Sequence, residues 1–534
     1  MMTSCSKMGP LSADNFTVTP KPLETQAGVV SATVNGAFPE KYMKKKAVVT
    51  VTPELRFGDG KVVKGEAATF QGEKVMGNDQ VISYRMGGHY TMKTAFAYNP
   101  EMQKSDMYLT FDARRGKKVY NVPAVKVNYG IIATSELYRQ ALTNGGGCLA
   151  LDSFQRVKAK KQEANIKFLI NQANLRKSEL KNNSVGEFVK LLKEINKDRE
   201  GLNLQNVEIQ AYASPEGGFK FNDKLANKRQ NVSEKYVRKE MKSAGVEGNL
   251  DAHYTAQDWE GFQQLVQASN IQDKDVILRV LSMYKDPQER EQQIRNMSEG
   301  FRELADAILP ELRRSRLIIH YETIGRNDEQ IKAQYNEDAA KLSADELLYY
   351  ATLEEDAAKK EEIYAKTAQL YTNDYRPLNN LAVMAFNRGD EAKAKELLAQ
   401  AITKSNNAAE ANATLGLIAL KNGNVAEAEN LIAKAAVGAL NIAKGNYAQA
   451  EEYFKDSYNN SAALAQLLNK NYAAAKATLN NIKNPNGLTS YLHAIVSARQ
   501  GNKYAANSYL KEALQKDPSL KAYAENDLEF ANMK

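Results

Sequence analysis

The chain has 534 residues, 43% of them hydrophobic and 25% charged, and this length and composition predict a globular protein of about three or four domains. A mean hydropathy of −0.54 and the lack of a run of roughly 18 apolar residues argue against a membrane-spanning helix. Four histidines and two cysteines leave little material for a zinc site or a disulfide scaffold. The net charge of +8 is uneven, because residues 1–162 carry 23 Lys and Arg against 13 Asp and Glu.

Two basic runs in this N-terminal region allow two interpretations. They are Lys44-Lys45-Lys46 and the segment from Arg114 to Lys118. They could meet an anionic partner such as a lipid or glycan surface, or they could be lysines that protect exposed sheet edges. Nucleic acid is not expected as a partner, because the basic residues are not interleaved with stacking aromatic residues.

Residues 15–143 show short alternating runs broken by turn signals. Val30–Val34 and Ala47–Thr52 alternate as strands, and Gly58-Asp59-Gly60 is a typical turn. About eight such runs predict an all-β sandwich domain. Residues 144–162, which are first glycine-rich and then basic, are predicted to form a linker.

Residues 163–322 follow a different pattern, which predicts a layered α/β domain. The apolar positions 185, 188, 189, 192 and 195 have helical spacing. The predicted elements in order are a strand at Ile166–Ile170, a helix at Val185–Ile195, a strand at Val207–Tyr212, a tight turn at Ala213–Gly218, a helix at Asn222–Ala244 and a late strand at Arg316–Tyr321.

This α/β stretch resembles the OmpA C-terminal-like domain, the periplasmic module that binds peptidoglycan in Gram-negative envelopes. The segment from Asn222 to Arg229 is similar to the N-x-x-L-S-x-x-R helix start of that family. The resemblance implies that Arg229 pairs with a ligand carboxylate, whereas Ser214 stands where the family places a ligand-binding Asp. Glu216 lies two residues further on and is a candidate substitute. Ser214, Glu216, Asn222 and Arg229 are therefore the candidate peptidoglycan-binding residues; the alternative is an OmpA-like fold that has lost its ligand.

The stretch is longer than the family's usual length, which predicts a helical insertion at about 257–309. Its helical patterns are Trp259–Ala268, Val276–Tyr284 and Glu289–Leu309. Trp259, the single tryptophan, is interpreted as packed core rather than as a sugar platform. Residues 323–340 are predicted to be a second linker.

The C-terminal part, residues 341–534, contains a repeat. A glycine or lysine is followed five residues later by alanine at Gly389/Ala394, Gly423/Ala428, Gly445/Ala450, Lys470/Ala475 and Gly501/Ala506. This pattern is similar to the tetratricopeptide repeat, in which a turn joins two helices that the alanine allows to approach closely. The resemblance implies an all-α solenoid whose concave face takes protein or peptide partners.

Residues 1–14 are predicted to be a lipid-tether segment. Met2-Thr3-Ser4-Cys5 resembles the end of a bacterial lipoprotein signal, which implies that Cys5 is lipidated and attaches the chain to a membrane. The charged start and apolar core of such a signal are missing before it, so an ordinary N-terminus with a chance cysteine is the alternative.

The sequence contains no G-x-S-x-G, H-E-x-x-H, P-loop or C-x-x-C motif. We therefore expect a protein that is not an enzyme, with no catalytic residue, metal or cofactor. Two functions fit the modules. One is an outer-membrane lipoprotein facing the periplasm that tethers the membrane to peptidoglycan and recruits proteins through its repeats. The other is an assembly scaffold of an outer-membrane or secretion complex that no longer binds peptidoglycan.

Overall fold

The structure is a computed structural model that describes residues 8–142, 146–271, 274–296, 303–405 and 408–533. The chain divides into two compact units. The first combines Met1–Asp152 with Leu347–Lys534, and the second is Ser153–Glu346. This division differs from the three predicted modules, because the N-terminal β region and the C-terminal repeats belong to one unit.

The N-terminal region is β-rich, as predicted. Its strands, numbered β1 to β11, are Phe16–Thr19, Leu23–Gln26, Val29–Phe38, Val48–Phe57, Lys61–Lys64, Ala68–Gly72, Gln80–Ile82, Gly88–Ala97, Ser105–Arg115, Lys118–Tyr129 and Ile131–Ile132. One sheet has the order β1-β3-β2-β11 with β8 paired to β3, and the other has the order β10-β9-β4-β6-β7 with β5 paired to β4. Buried and exposed residues alternate along β3 and β8, so each strand gives one face to a hydrophobic core that the two sheets share.

The C-terminal region is all-helical, also as predicted. Its α-helices are Ala344–Leu353, Ala357–Leu370, Arg376–Asn387, Glu391–Lys404, Ala409–Lys421, Val425–Leu431, Val437–Ala443, Tyr447–Tyr453, Asn460–Leu468, Tyr472–Asn480, Gly487–Arg499, Lys503–Lys516 and Lys521–Asn526. Gly389, Gly423, Gly445, Lys470 and Gly501 all have a left-handed φ between 65° and 84°. Each lies between the two helices of a hairpin. The five alanines that follow them in the repeat pattern are completely buried, as tetratricopeptide-like hairpins require.

A short helical segment from the β region lies within the core of the repeats. It consists of the 3-10 helix Thr134–Leu137 and the helix Tyr138–Ala141. Leu137, Tyr138 and Leu142 belong to the same hydrophobic cluster as the repeat helices. The Tyr138 hydroxyl donates to the carbonyl of Leu420 at 3.3 Å. The β region and the repeats therefore share buried apolar surface, which explains why they form one unit.

The second unit is built on a four-stranded mixed sheet of the order β12-β15-β13-β14. The strands are Val157–Lys167 (β12), Leu202–Tyr212 (β13), Leu250–Thr255 (β14) and Arg314–Ile324 (β15). The helices Asn183–Lys197 and Phe219–Ala244 contribute apolar residues to the core that covers one face of this sheet. The order of the predicted strands and helices is observed, with β14 as an additional strand that was not predicted from the sequence.

Both segments predicted as linkers contain regular structure. The basic residues Lys158, Lys160 and Lys161 lie in β12, an edge strand whose first five residues are exposed. An edge strand without cover can carry lysines, which is why its composition resembles that of a linker. Within the second predicted linker, Asp328–Asp338 is a helix that begins at an Asn327 capping box.

The predicted helical insertion is observed between β14 and β15. Its described helices are Trp259–Ala268, Lys274–Met283, Pro287–Arg295 and Leu309–Leu312, with a π-helical turn at Leu304–Ile308. The third predicted helix, Glu289–Leu309, is thus not described as one continuous helix. Trp259 is partly buried and packs at the edge of the insertion's own hydrophobic cluster.

Candidate functional site

The candidate peptidoglycan-binding residues lie together around the turn that follows β13. Asn222 is buried, and its side-chain amide donates to the carbonyls of Ser214, Glu216 and Gly217 at 3.0, 3.1 and 3.2 Å. The two N–H donors of this amide are shared among the three carbonyls, so the Asn222 side chain ties the backbone of the turn together.

Ser214 and Glu216 contact each other within this turn. The Ser214 hydroxyl donates to Oε1 of Glu216 at 2.9 Å. The same oxygen accepts from Nε and Nη2 of Arg313 at 2.8 and 2.6 Å. The Glu216 carboxylate is therefore paired with a cation of the chain itself, in an arrangement shielded from solvent.

Arg229 is among the largest fully buried side chains in the described residues. Its guanidinium donates to the backbone carbonyls of Gln172 at 2.9 Å, Tyr212 at 2.8 Å and Leu169 at 3.2 Å. It also lies 4.9 Å from the ring centre of Phe168. These bonds connect the loop after β12 to the end of β13, so Arg229 has a bracing role that the family resemblance did not imply.

The electrostatic surroundings of Arg229 agree with this burial. Desolvation, together with the nearby Arg313, lowers the pKa of Arg229 to about 10, although the Glu216 carboxylate opposes the shift. A guanidinium in this position stays protonated at neutral pH. Its described hydrogen bonds all go to carbonyl oxygens of the chain.

The helical insertion also contacts the turn. The backbone N–H of Gly217 donates to Oε1 of Glu291 at 2.9 Å. The Gln257 amide donates to the carbonyl of Gly217 at 3.1 Å. The cavity beside the turn is small, about 20 Å³, and its lining residues are Pro215, Glu216, Trp259, Phe262, Glu291, Ile294, Leu304 and Leu309. The backbone N–H of Gly217 therefore already has a carboxylate partner, Glu291.

A second site lies on the face of the repeats that the first helices of the hairpins form, which we call the inner surface. We call residues 146–152, which have no helix or strand, the strap. The strap runs along the first helices of two consecutive hairpins, Arg376–Asn387 and Ala409–Lys421. Asn379 of the first helix donates to the carbonyl of Cys148 at 2.9 Å, and Thr414 of the second accepts from the Cys148 N–H at 3.1 Å.

Asn380 and Arg376 hold the second half of the strap. The Asn380 amide accepts from the N–H of Ala150 at 2.8 Å and donates to the carbonyl of the same residue at 3.2 Å. Arg376 donates to the carbonyls of Leu151 and Asp152 at 3.4 and 2.9 Å. A segment of the chain itself therefore occupies this surface, and the protein or peptide partners expected on the concave face of the repeats stay a prediction.

The sequence contains a signal for this site that the repeat pattern alone does not include. Asn379 and Asn380 are adjacent and lie in the middle of a helix, where asparagine is a poor choice. Both are buried, and a buried side-chain amide needs hydrogen-bonding partners. Asparagines at such positions indicate that the surface binds polar groups of another chain segment.

Cys148 lies in the strap, and burial raises the pKa of its thiol to about 11. The thiol is therefore protonated and poorly reactive at neutral pH. Cys5, the predicted lipidation site, lies outside the described residues. Within the described parts of the chain, no group of three or more His, Cys, Asp or Glu could hold a metal ion, and no helix is long and apolar enough to cross a membrane.

Comparisons with known proteins add little. No protein-family profile matches the chain, and no curated protein sequence matches it. Among solved structures, it is similar to a tetratricopeptide repeat protein from Parabacteroides merdae ATCC 43184, with 18% identity, a TM-score of 0.27 and coverage of 38% of this chain and 91% of that one. It is also similar to the APC/C hetero-tetramer Cut9-Hcn1, with 15% identity, a TM-score of 0.23 and coverage of 37% and 38%. The repeat assignment therefore depends on the positions of the glycines and alanines in the helical hairpins.

Proposed function

We propose that this protein is a non-enzymatic scaffold that binds other proteins through its helical repeats. One observation carries the proposal: the inner surface of the repeats already holds an extended segment through buried side chains that bind its backbone. Such a surface is suited to recognising a chain, and its described residues bring together no group of side chains typical of catalysis.

The scaffold is proposed to act in a bacterial envelope, as a subunit of an outer-membrane or secretion complex. Two resemblances support this location: the helix start from Asn222 to Arg229, similar to the OmpA C-terminal-like family, and the residues before Cys5, similar to the end of a lipoprotein signal. Expression of the gene with its full upstream region, followed by lipid labelling of wild type and Cys5→Ser, tests the anchor. Equal labelling of the two proteins would contradict it.

Extraction of the tagged chain from its host under native conditions tests the scaffold function. We expect the 59.3 kDa chain to migrate in a larger complex with a defined set of proteins. Chemical cross-links from those proteins should fall on the repeats. Migration as an isolated chain, both with and without cross-linking before lysis, would contradict the proposal.

Peptidoglycan tethering is the second function that the family resemblance implies, through Ser214, Glu216, Asn222 and Arg229, but the intrachain partners of these residues disfavour it. Because Glu216 and Arg229 already have partners within the chain, we expect no sedimentation with purified peptidoglycan. Sedimentation of the wild type that is lost in Glu216→Gln, with an unchanged Trp259 fluorescence spectrum, would instead establish the tether. Glu322→Gln is a suitable control, since Glu322 is on β15 and bonds to Asn203 and Gln205.

A further inference from the structure

The strap is recognised through its backbone. Four bonds from the repeats reach the N–H and carbonyl groups of Cys148 and Ala150, and their donors and acceptors are the side chains of Asn379, Asn380 and Thr414. A side-chain amide that both donates to and accepts from the backbone of one residue takes the place of a neighbouring β-strand, because it satisfies both the N–H and the carbonyl of that residue. These hydrogen bonds therefore depend on the backbone of the strap and not on the chemistry of its side chains.

The side chains of the strap define which segments fit. A Cβ added to Gly147 would lie 2.6 Å from Cγ1 of Val383, so this position has no room for a side chain. Ala150 is buried, whereas Leu149 and Leu151 are 51% and 79% exposed. The surface thus accepts a glycine followed by small residues at alternate positions, with any residue between them.

Packing alone does not explain the polar groups on this surface. An apolar side chain at position 379 or 380 would fill the same space at lower desolvation cost. Asn380 carries two bonds to one residue and Asn379 adds a third to the strap, so the surface is arranged for chain binding.

We propose that the inner surface formed by Asn379, Asn380 and Thr414 is a peptide site for extended segments with the pattern Gly-small-x-small, and that the strap is its resident occupant. A partner segment of the same chemistry binds when it displaces the strap. This inference rests on the proposed scaffold function, for which it names the binding site and the class of ligand.

The resident strap weakens the apparent affinity for any partner. If the site is open about 1% of the time, the apparent affinity of a partner peptide is about 100-fold lower than its intrinsic affinity. A substitution that weakens the binding of the strap to the inner surface should remove this reduction in apparent affinity. Binding in trans is therefore expected to increase when the strap of the same chain is damaged.

Fluorescence anisotropy with full-length protein tests this prediction. The probe is a labelled peptide with the sequence of residues 146–152 carrying Cys148→Ala. The full-length variant Ala150→Pro lacks the backbone N–H that donates to Asn380, so its strap should leave the inner surface. We expect this variant to bind the probe at least about tenfold more tightly than the wild-type chain. Leu149→Ala alters only an exposed side chain and should behave like the wild type.

Two controls identify the site. The double variant Ala150→Pro/Asn380→Ala should lose the gained binding, and a probe that itself carries Ala150→Pro should not bind. The proposal is overturned if Ala150→Pro binds the probe no better than the wild type, or if the double variant binds as well as the single one.

A second measurement does not require a strap variant to fold. Hydrogen exchange of the Ala150 amide is followed in the wild-type chain at rising concentrations of the probe. We expect faster exchange, because the probe competes for Asn380; an unchanged rate at saturating probe would overturn the proposal. If only the peptide-site proposal is wrong, the complex expected in native extracts should still form. If the scaffold proposal is wrong, that complex should be absent, while binding of the probe is unaffected.

Discussion

The side-chain amide of Asn380 forms two hydrogen bonds with the backbone of Ala150, at 2.8 and 3.2 Å, although the two residues are 230 positions apart in the chain. Both residues are buried. The bonds join the strap, which follows the β region, to the first helix of a repeat hairpin. Loss of these two bonds should therefore lower the stability of the unit formed by the β region and the repeats.

Asn380→Ala should lower the free energy of unfolding of this unit by about 1–3 kcal/mol, because the N–H and carbonyl of Ala150 would remain buried without partners. Urea unfolding followed by far-ultraviolet circular dichroism measures the change. Asn387→Ala is the matched control, since Asn387 ends the same helix and is exposed. Equal stability of the two variants would contradict the role assigned to Asn380.

Arg229→Ala should destabilise the other unit by about 3 kcal/mol or more, because three carbonyls lose a charged donor in the interior. Trp259 is the single tryptophan of the chain and lies in this unit, so its fluorescence during urea unfolding reports the effect. Arg238→Ala, on the same helix, removes an exposed pair with Glu234 and should cost less than about 1 kcal/mol. A similar small effect of both substitutions would show that Arg229 does not brace the unit.

Lys470→Gly should stabilise the repeats by about 1 kcal/mol. Lys470 has a φ of 65°, and a side chain in this left-handed region costs roughly 1–2 kcal/mol relative to glycine. Gly501→Ala provides the reverse test, because Gly501 has a φ of 76° and a Cβ there would contact nothing within 4 Å. The melting temperature should rise for Lys470→Gly and fall for Gly501→Ala; a shift in the same direction for both variants would refute the backbone explanation.

The repeats could be predicted from the sequence because their requirements are local. Each hairpin needs a left-handed residue at the turn and a small residue five positions later, and both are visible as Gly445 and Ala450. The edge strands were harder. β14, Leu250–Thr255, alternates Leu250, Ala252 and Tyr254 with polar residues, but it is only 6 residues long and lies at the end of its sheet beside β13, where none of its residues is fully buried.

The hydrogen bonds within the two sites could not be predicted from the sequence, because they join residues that are far apart in the chain. Family resemblance placed Arg229 on the correct helix, but its bonds are to Leu169, Gln172 and Tyr212, whose positions follow from how the loop after β12 packs. The Gly-rich segment before Cys148 was interpreted as a linker. The contact of Cys148 with Asn379 joins residues 231 positions apart, and no local pattern encodes such a distance.

A buried carboxylate near the C-terminus makes the stability of the first unit depend on pH. Asp527 accepts from the Tyr491 hydroxyl at 2.6 Å and from the Glu529 N–H at 3.0 Å. Glu529 is itself paired with Arg499 at 2.5 Å. Burial raises the pKa of Asp527 to about 6, and the hydrogen bond from Tyr491 opposes this shift. Because the unfolded chain has the ordinary pKa of about 4, the folded state binds this proton more tightly.

The sign of the pH effect follows from this difference. The stabilising contribution of protonated Asp527 is complete below about pH 4 and is lost as the pH rises through about 6. Asp527→Asn cannot ionise and keeps an oxygen for the Glu529 N–H, so it should gain stability relative to the wild type between pH 4 and 7, on the order of 1–3 kcal/mol. Urea unfolding of both proteins across this range, followed by circular dichroism, measures the difference between their free energies of unfolding. The contributions of titratable groups common to both proteins cancel in this difference. Glu525→Gln, which changes a neighbouring carboxylate that is exposed, should track the wild type at every pH. A difference between Asp527→Asn and the wild type that stays constant from pH 4 to 7 would mean that Asp527 has the same pKa in the folded and unfolded chain.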